Sequence, residues 1–270
     1  MRHSAAQSAP NRPSLGGMPE ISEYKPGMPC WVDLNSSDIE ASKAFYTGLF
    51  GWETGPTPPP EAGGYTMFMK GGQEVAAVGP IQNEGQPPVW VTYIATADAD
   101  ASAKAITGAG GTALAEPFDV MDVGRMGVFM DPTGGAFAIW QAKLHRGAGL
   151  VNEPGALCWN ELHTADPSAA KDFYSKVFGY GAEVNDFGGD PYIEIQIGGT
   201  TVGAITGMGG MPPEVPPHWL VYFAVDDTDA AVDKVKDLGG SVLSPPMDIP
   251  AGRFAVVADN QGSSFGVIKL

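Results

Sequence analysis

The sequence predicts an α+β protein built from four copies of one strand–helix–strands unit, in the order A–B–A′–B′. Two repeats and one change of period predict it. Residues Cys30 to Gly51, CWVDLNSSDIEASKAFYTGLFG, return at Cys158 to Gly179 as CWNELHTADPSAAKDFYSKVFG, 128 residues on. Trp90, Tyr93, Ala95, Asp98 and Gly110-Gly111 return 129 residues on, as Trp219, Tyr222, Ala224, Asp227 and Gly239-Gly240. Within the first repeat, apolar residues alternate and then recur at helical spacing, which marks a strand followed by an amphipathic helix.

In chain order, residues 1–25 read as a disordered leader of Ser, Ala, Pro and Asn. It carries Arg2 but no apolar stretch of the signal-peptide kind. Residues 26–143 form the first domain. Val32 and Leu34 mark its first strand, and Asp38 sits at a helix N-cap position, where a short acceptor meets free backbone N–H groups. Ala41, Ala44, Phe45, Leu49 and Phe50 form the helix stripe, and Gly51 fits the helix end. Strands follow at Tyr65–Met69 and Val75–Val78 around a Lys70-Gly71-Gly72 turn. After Pro87-Pro88 the second unit brings a strand at Trp90–Ala95 and a helix around Asp98–Thr107. Its further strands lie near Thr112–Leu114, Arg125–Met130 and Ala136–Gln141, the last two joined by the turn Asp131-Pro132-Thr133-Gly134. Residues 144–154, polar and Gly-containing, read as a linker. Residues 155–270 repeat the whole arrangement, with strands at Tyr192–Ile197 and Thr200–Ile205.

The totals narrow the function. A chain of 270 residues has room for two cores. A formal charge of −16 and a pI near 4.4 argue against nucleic acid and anionic membrane surfaces, which need clustered Lys and Arg. No apolar run approaches a membrane span of about 18 residues, and cytoplasm is the expected location. Two cysteines make no disulfide framework. Cys30 and Cys158, in phase with the apolar strand positions, read as buried reduced thiols.

The strand, Asp, helix and FY…FG run resembles the start of a βαβββ module, the repeating unit of the vicinal oxygen chelate superfamily. That superfamily contains glyoxalase I, extradiol dioxygenases and bleomycin-resistance-type binding proteins. The run Asp131 to Gln141, DPTGGAFAIWQ, is similar to the last hairpin of such a module. The resemblance implies four βαβββ modules forming two cup-shaped half-barrel domains. Which modules share a cup stays open.

The resemblance also implies where a metal would be held. Metal-using relatives take ligands from the first strand of each module and a Glu from the last strand. Carried over, the first-domain positions are Trp31, Val91 and Ala138, and the second-domain positions are Trp159, Leu220 and Gly266. None is a metal ligand. No metal or other cofactor is expected, and a divalent ion stays open only through a non-standard set.

Strand alternation assigns the remaining side chains to faces. Val32 and Leu34 go under the helix, leaving Trp31 and Asp33 toward the first cavity. Tyr65, Met67 and Met69 belong to the same side. In the second domain Trp159, Glu161 and His163 follow the same phase, with His163 expected to be exposed beside its turn. Tyr192, Glu194 and Gln196 lie opposite Ile193, Ile195 and Ile197. His218, Leu220 and Tyr222 lie opposite Trp219, Val221 and Phe223, and Tyr93 is the equivalent of Tyr222. The first cup is thus expected to be aromatic and thioether-lined with one carboxylate. The second gathers Glu161, Glu194, His218 and Tyr222 as candidate acid–base groups.

Arg125 and Arg253 are repeat-equivalent, each in a Gly-Arg pair before the last hairpin. A simple hairpin count sets Arg125 opposite Trp140 and Arg253 opposite Ile268, on the cavity face, where a guanidinium fork meets a ligand oxygen. The alternative is a structural pair with Asp119 or Asp122 and with Asp248. The expected ligand-binding set is therefore Trp31, Asp33, Tyr93, Arg125, Trp140, Trp159, Tyr192, Tyr222 and Arg253.

Three functions stay open. The first is a metal-free protein that binds or sequesters a small organic ligand in its aromatic cups. The second is a glyoxalase-, dioxygenase- or hydroxylase-like enzyme using Glu161, Glu194 and His218 in the second domain. The third is a structural or interaction protein with filled cups. The expected partner is a small organic molecule, without nucleic acid or membrane, on a monomer or homodimer.

Overall fold

An aspartate opens every α-helix among the described residues. A computed structural model describes residues 23–82, 85–186 and 189–270; the leader expected over 1–25 falls mostly on residues 1–22, outside the described residues. The first half contains β1 (Pro29–Ser36), α1 (Ile39–Phe50), β2 (Glu53–Thr54), β3 (Thr66–Lys70), β4 (Gln73–Pro80) and β5 (Val89–Ala95). It continues through α2 (Ala99–Gly108), β6 (Thr112–Val120), β7 (Gly124–Met130) and β8 (Ala136–Ala142). The second half repeats this as β9 (Leu157–His163), α3 (Pro167–Phe178), β10 (Gly181–Asn185), β11 (Tyr192–Ile197), β12 (Thr200–Thr206) and β13 (His218–Ala224). It ends with α4 (Thr228–Asp237), β14 (Ser241–Ile249), β15 (Gly252–Ala258) and β16 (Ser264–Lys269).

The caps explain the helix boundaries. Asp38, Asp98, Asp166 and Asp227 each accept a hydrogen bond from the backbone N–H three residues on, at 2.9–3.0 Å. Each satisfies one of the donors a helix start leaves unpaired. Gly51 and Gly179 stop α1 and α3 in the left-handed conformation, at φ 67° and 72°, where a side chain would be strained.

Adjacent modules share one sheet. The first sheet runs β2-β3-β4-β1-β5-β8-β7-β6 and the second β10-β11-β12-β9-β13-β16-β15-β14. In each, the first strands of two successive modules meet antiparallel at the centre, β1 on β5 and β9 on β13. The outermost strands β2 and β10 escape the sequence reading. They are short and almost fully exposed, so they carry no inward apolar phase to detect.

The two sheets pack through their helix-covered faces. One core joins the first module to the fourth, with Phe45, Tyr46, Phe50 and Trp52, and Trp90 of the second module beside them, against Phe223, Val235, Phe265 and Val267. A second core joins the second module to the third. Polar bonds cross the same interface in pairs related by the repeat. Tyr46 donates to Asp259 at 3.0 Å and accepts from Trp90 Nε1 at 3.0 Å; Tyr174 donates to Asp131 at 2.9 Å and accepts from Trp219 Nε1 at 3.0 Å. Trp52 Nε1 donates to the carbonyl of Gly155 at 2.6 Å, and the Tyr180 hydroxyl to that of Gly27 at 2.7 Å. Near the centre Thr92 donates to Asn160 at 2.9 Å, both buried. The opposite face of each sheet is left as a cup.

Register corrects the expectation for the arginines. Arg125 pairs with Gln141 and Arg253 with Lys269, while Met126 faces Trp140 and Phe254 faces Ile268. The strands are offset by one residue from the simple count, and one residue moves a side chain to the other face of a sheet. Arg125 therefore lies on the helix side, where its Nε and Nη2 reach Asp100 at 3.1 and 2.9 Å, and Nη2 also donates to the Pro117 carbonyl at 2.9 Å. Arg253 does the same with Asp229, and with Asp248 at 3.2 Å.

Candidate functional site

The first cup is built on the central strand pair. Trp31 lies opposite Tyr93, and Tyr93 lies level with Ala138 on β8. Trp31 and Asp33 are 2% and 5% exposed, which a carboxylate tolerates only with partners. Asp33 has two: Oδ2 accepts from the Tyr93 hydroxyl at 2.7 Å and from the Tyr65 hydroxyl at 3.0 Å. Trp31 Nε1 in turn donates to Tyr65 at 3.0 Å. Burial pushes the Asp33 carboxyl up to about 6, with the two phenols and His145 opposing that rise.

The second cup repeats this cluster with Glu for Asp. The Tyr222 hydroxyl donates to Glu161 at 3.3 Å, and Tyr192 is hydrogen-bonded both to Glu161 and to Trp159. The Trp–Tyr–carboxylate–Tyr set is thus Trp31, Tyr65, Asp33 and Tyr93 in one cup and Trp159, Tyr192, Glu161 and Tyr222 in the other. Burial keeps all four phenols protonated well beyond neutral pH, so they act as donors to the carboxylates.

The cups differ around this shared set. In the first, Trp140 completes the aromatic wall, with its ring 6.3 Å from Tyr93, and donates through Nε1 to the carbonyl of His145 at 2.9 Å. In the second, Trp159, Tyr192, Phe254 and Val256 are only half-buried, so this cup presents aromatic surface toward solvent. His163, expected to be exposed, is 8% exposed: its phase on β9 is that of Glu161, and Nε2 comes within 2.9 Å of Glu161 Oε1. Its ring stacks on His218, centroids 5.2 Å apart and nearly parallel. Desolvation first of all pulls the His218 imidazole below its ordinary value, favouring the neutral ring.

Glu194 does not join Glu161. Both are in register with Ala204 on the strand between them, so their backbones stand about 10 Å apart. Glu194 accepts instead from Asn185 and Thr201, each at 3.4 Å. Of the expected trio, Glu194 stands apart, while His218 stays beside Glu161 through its stacking on His163, and Tyr192 and Tyr222 complete the carboxylate's surroundings. Among the described residues, no three His, Cys, Asp or Glu side chains come together in a way that could hold a metal ion. The donor sets of the cups, a carboxylate held by phenols with imidazoles beside it but no three ligating side chains converging, do not fit the metal that the fold family implies.

One residue of the first cup, His145, has no place in the sequence reading. Tyr65 was legible as the repeat partner of Tyr192. His145 was not: it stands in the segment read as a linker, and nothing in local pattern marks it. The cysteines are unremarkable: burial raises both thiols far above their ordinary value.

The sequence pattern of the Glyoxalase/Bleomycin resistance protein/Dioxygenase superfamily matches residues 30–139 and 157–267, one match per sheet. The chain belongs to this superfamily. Its superfamily relatives include the protein named "Putative glyoxylase CFP32" of Mycobacterium tuberculosis (strain CDC 1551 / Oshkosh), 46% identical over 258 residues, covering 93% of this chain and 98% of the relative. The anthracycline biosynthesis protein DnrV of Streptomyces peucetius is 41% identical over 264 residues, covering 93% and 96%. Among solved structures, the fold is similar to that of the Mn(II)-bound glyoxalase from Novosphingobium aromaticivorans, with TM-score 0.62, 18% identity and coverage of 90% and 82%. It is also similar to the 2,3-dioxygenase LapB from Pseudomonas sp. KL28, with TM-score 0.63, 13% identity and coverage of 91% and 93%. No helix among the described residues is long and apolar enough to cross a membrane.

Proposed function

We propose that this superfamily member is a metal-free binding protein that takes a small aromatic ligand in its second cup. The observation that carries this reading is the half-buried Trp159–Tyr192 wall next to a buried carboxylate, Glu161, held by two phenols. An aromatic wall with a few placed polar groups is the usual composition of a small-molecule site. Glu161 and its neighbour His163 accept or share the proton of a ligand hydroxyl, and Trp159 supplies the stacking face. The names of two relatives make anthracyclines the first ligand class to test. Calorimetric titration with an anthracycline aglycone is expected to show saturable binding, weakened about tenfold or more by Trp159→Ala. Equal affinity in that variant, or none in the parent, would sink the reading.

The pair Glu161–His163, 2.9 Å apart in a site of 10% side-chain exposure for each, favours a second reading. A carboxylate beside an imidazole is a competent acid–base pair. Turnover of the bound ligand that is lost in both Glu161→Gln and His163→Gln, with binding retained, would make this cup an active site.

A further inference from the structure

The segment joining the two sheets is tied down across the first cup. The backbone N–H groups of Lys143 and His145 both donate to the Val123 carbonyl, at 3.1 and 3.0 Å. That of Ala148 donates to Cys30 and that of Gly149 to Glu74, each at 2.8 Å, and the Tyr24 hydroxyl donates to the Ala148 carbonyl at 2.8 Å. Between these anchors His145 enters the cup. Its ring meets Trp31 edge-to-face at 4.4 Å and Trp140 at 5.6 Å.

The two ring nitrogens have different surroundings. Nδ1 lies 2.8 Å from Oε2 of Glu74 on β4. The bond to His145 holds the Glu74 carboxyl below its ordinary range, so the carboxylate is the acceptor and Nδ1 carries the hydrogen. In the neutral ring Nε2 is then the lone-pair nitrogen. It is fully buried and has no hydrogen-bond partner among the described residues, on a side chain that is 7% exposed. A buried polar atom left unpaired costs free energy, so its retention points to a partner that arrives from outside. Trp140, which His145 touches, also lines a cleft of about 420 Å³, together with Glu23, Tyr24, Lys143 and Arg146. The other charged group facing the ring is Asp33, already occupied by its two tyrosines.

We propose that the first cup is a second site, in which His145, oriented by Glu74, binds the acidic hydroxyl of a small phenol or enol and takes its proton. The ligand O–H bond breaks as the Nε2–H bond forms. The electron pair stays on the ligand oxygen, and the resulting imidazolium is flanked by the Glu74 carboxylate and the ligand anion. A carboxylate that orients an imidazole and stabilises its protonated form is a recurrent general-base arrangement. This site shares no residue with the second cup.

The probe is 4-nitrophenol, whose anion is read directly by absorbance. At a pH about one unit below the free phenol's own pKa, titrating protein into the probe is expected to raise the phenolate band. His145→Gln should weaken binding about tenfold or more and abolish the band rise. Glu74→Gln should keep most of the binding but move the band rise to higher pH, since an amide stabilises imidazolium less. Trp159→Ala should leave the His145 resonance shift unchanged, which separates the site from the second cup. In the parent protein, ring ¹⁵N spectra should move the Nε2 resonance of His145 from the bare to the protonated position as probe is added, a readout that needs no variant. A band rise unaffected by His145→Gln would overturn the proposal. So would a parent protein whose His145 resonances ignore saturating probe.

Discussion

Asp33 is held at 5% exposure with both phenolic hydroxyls on one oxygen, and burial raises its carboxyl to about 6. In the unfolded chain it titrates near its ordinary value of about 4. Between these values the folded protein binds the extra proton. The stability contributed by protonated Asp33 is therefore complete below about pH 4 and is lost as pH rises through about 6. A difference of about 2 in pKa corresponds to about 3 kcal/mol. Asp33→Asn should flatten the stability profile across this window. Urea denaturation at about pH 4.5 and about pH 8 measures it, and an unchanged slope in the variant would show that another group is responsible. Arg125 marks the opposite case at the same scale. Its guanidinium pairs with Asp100 on the outer, helix side, so Arg125→Ala should lower the melting temperature slightly and leave cup binding untouched.

At the scale of elements, the helices owe their starts to aspartate caps and their inner faces to the sheets beneath. Asp98→Ala should cost about 1 kcal/mol, and Asp98→Ser should recover most of it, because serine offers the same acceptor to the Ala101 N–H. Chemical denaturation of the two variants distinguishes a cap from a charge effect, since serine restores the bond but not the charge. The hairpins β6–β7 and β7–β8 show how much one residue of register decides. With Met126 and not Arg125 opposite Trp140, the cup wall gains a thioether and the guanidinium is turned to α2.

For the whole molecule, the cores cross the boundary between the repeats, so neither half has a complete apolar interior of its own. Tyr46 bonds to Asp259 and Tyr174 to Asp131, each from a helix of one half to a hairpin of the other. Tyr46→Phe leaves Trp90 Nε1 and one Asp259 oxygen unpaired in the interior and should cost about 2 kcal/mol. Both sheets should still unfold in one transition, by fluorescence and by circular dichroism alike. Residues 155–270 expressed alone should be insoluble or unfolded, because Phe223, Val235, Phe265 and Val267 would lose the module that covers them. A soluble, cooperatively folding fragment would show that the shared core contributes little.

The repeat, the four caps and the strand phases were legible in the residues, because each depends on neighbours within one turn or one strand. The same locality made Trp31, Asp33, Trp159, Glu161 and Tyr222 recognisable as facing one side. Pairing between modules was not legible, since every module presents similar apolar faces and only packing selects which meet. Tertiary structure put the first module on the fourth in the core while keeping it beside the second in the sheet. It also turned the arginines outward through one residue of register. His145 was beyond reach for the plainest reason: it lies in a connecting segment without periodicity, and its place against Trp31 and Glu74 is made by contacts more than 70 residues away in the chain.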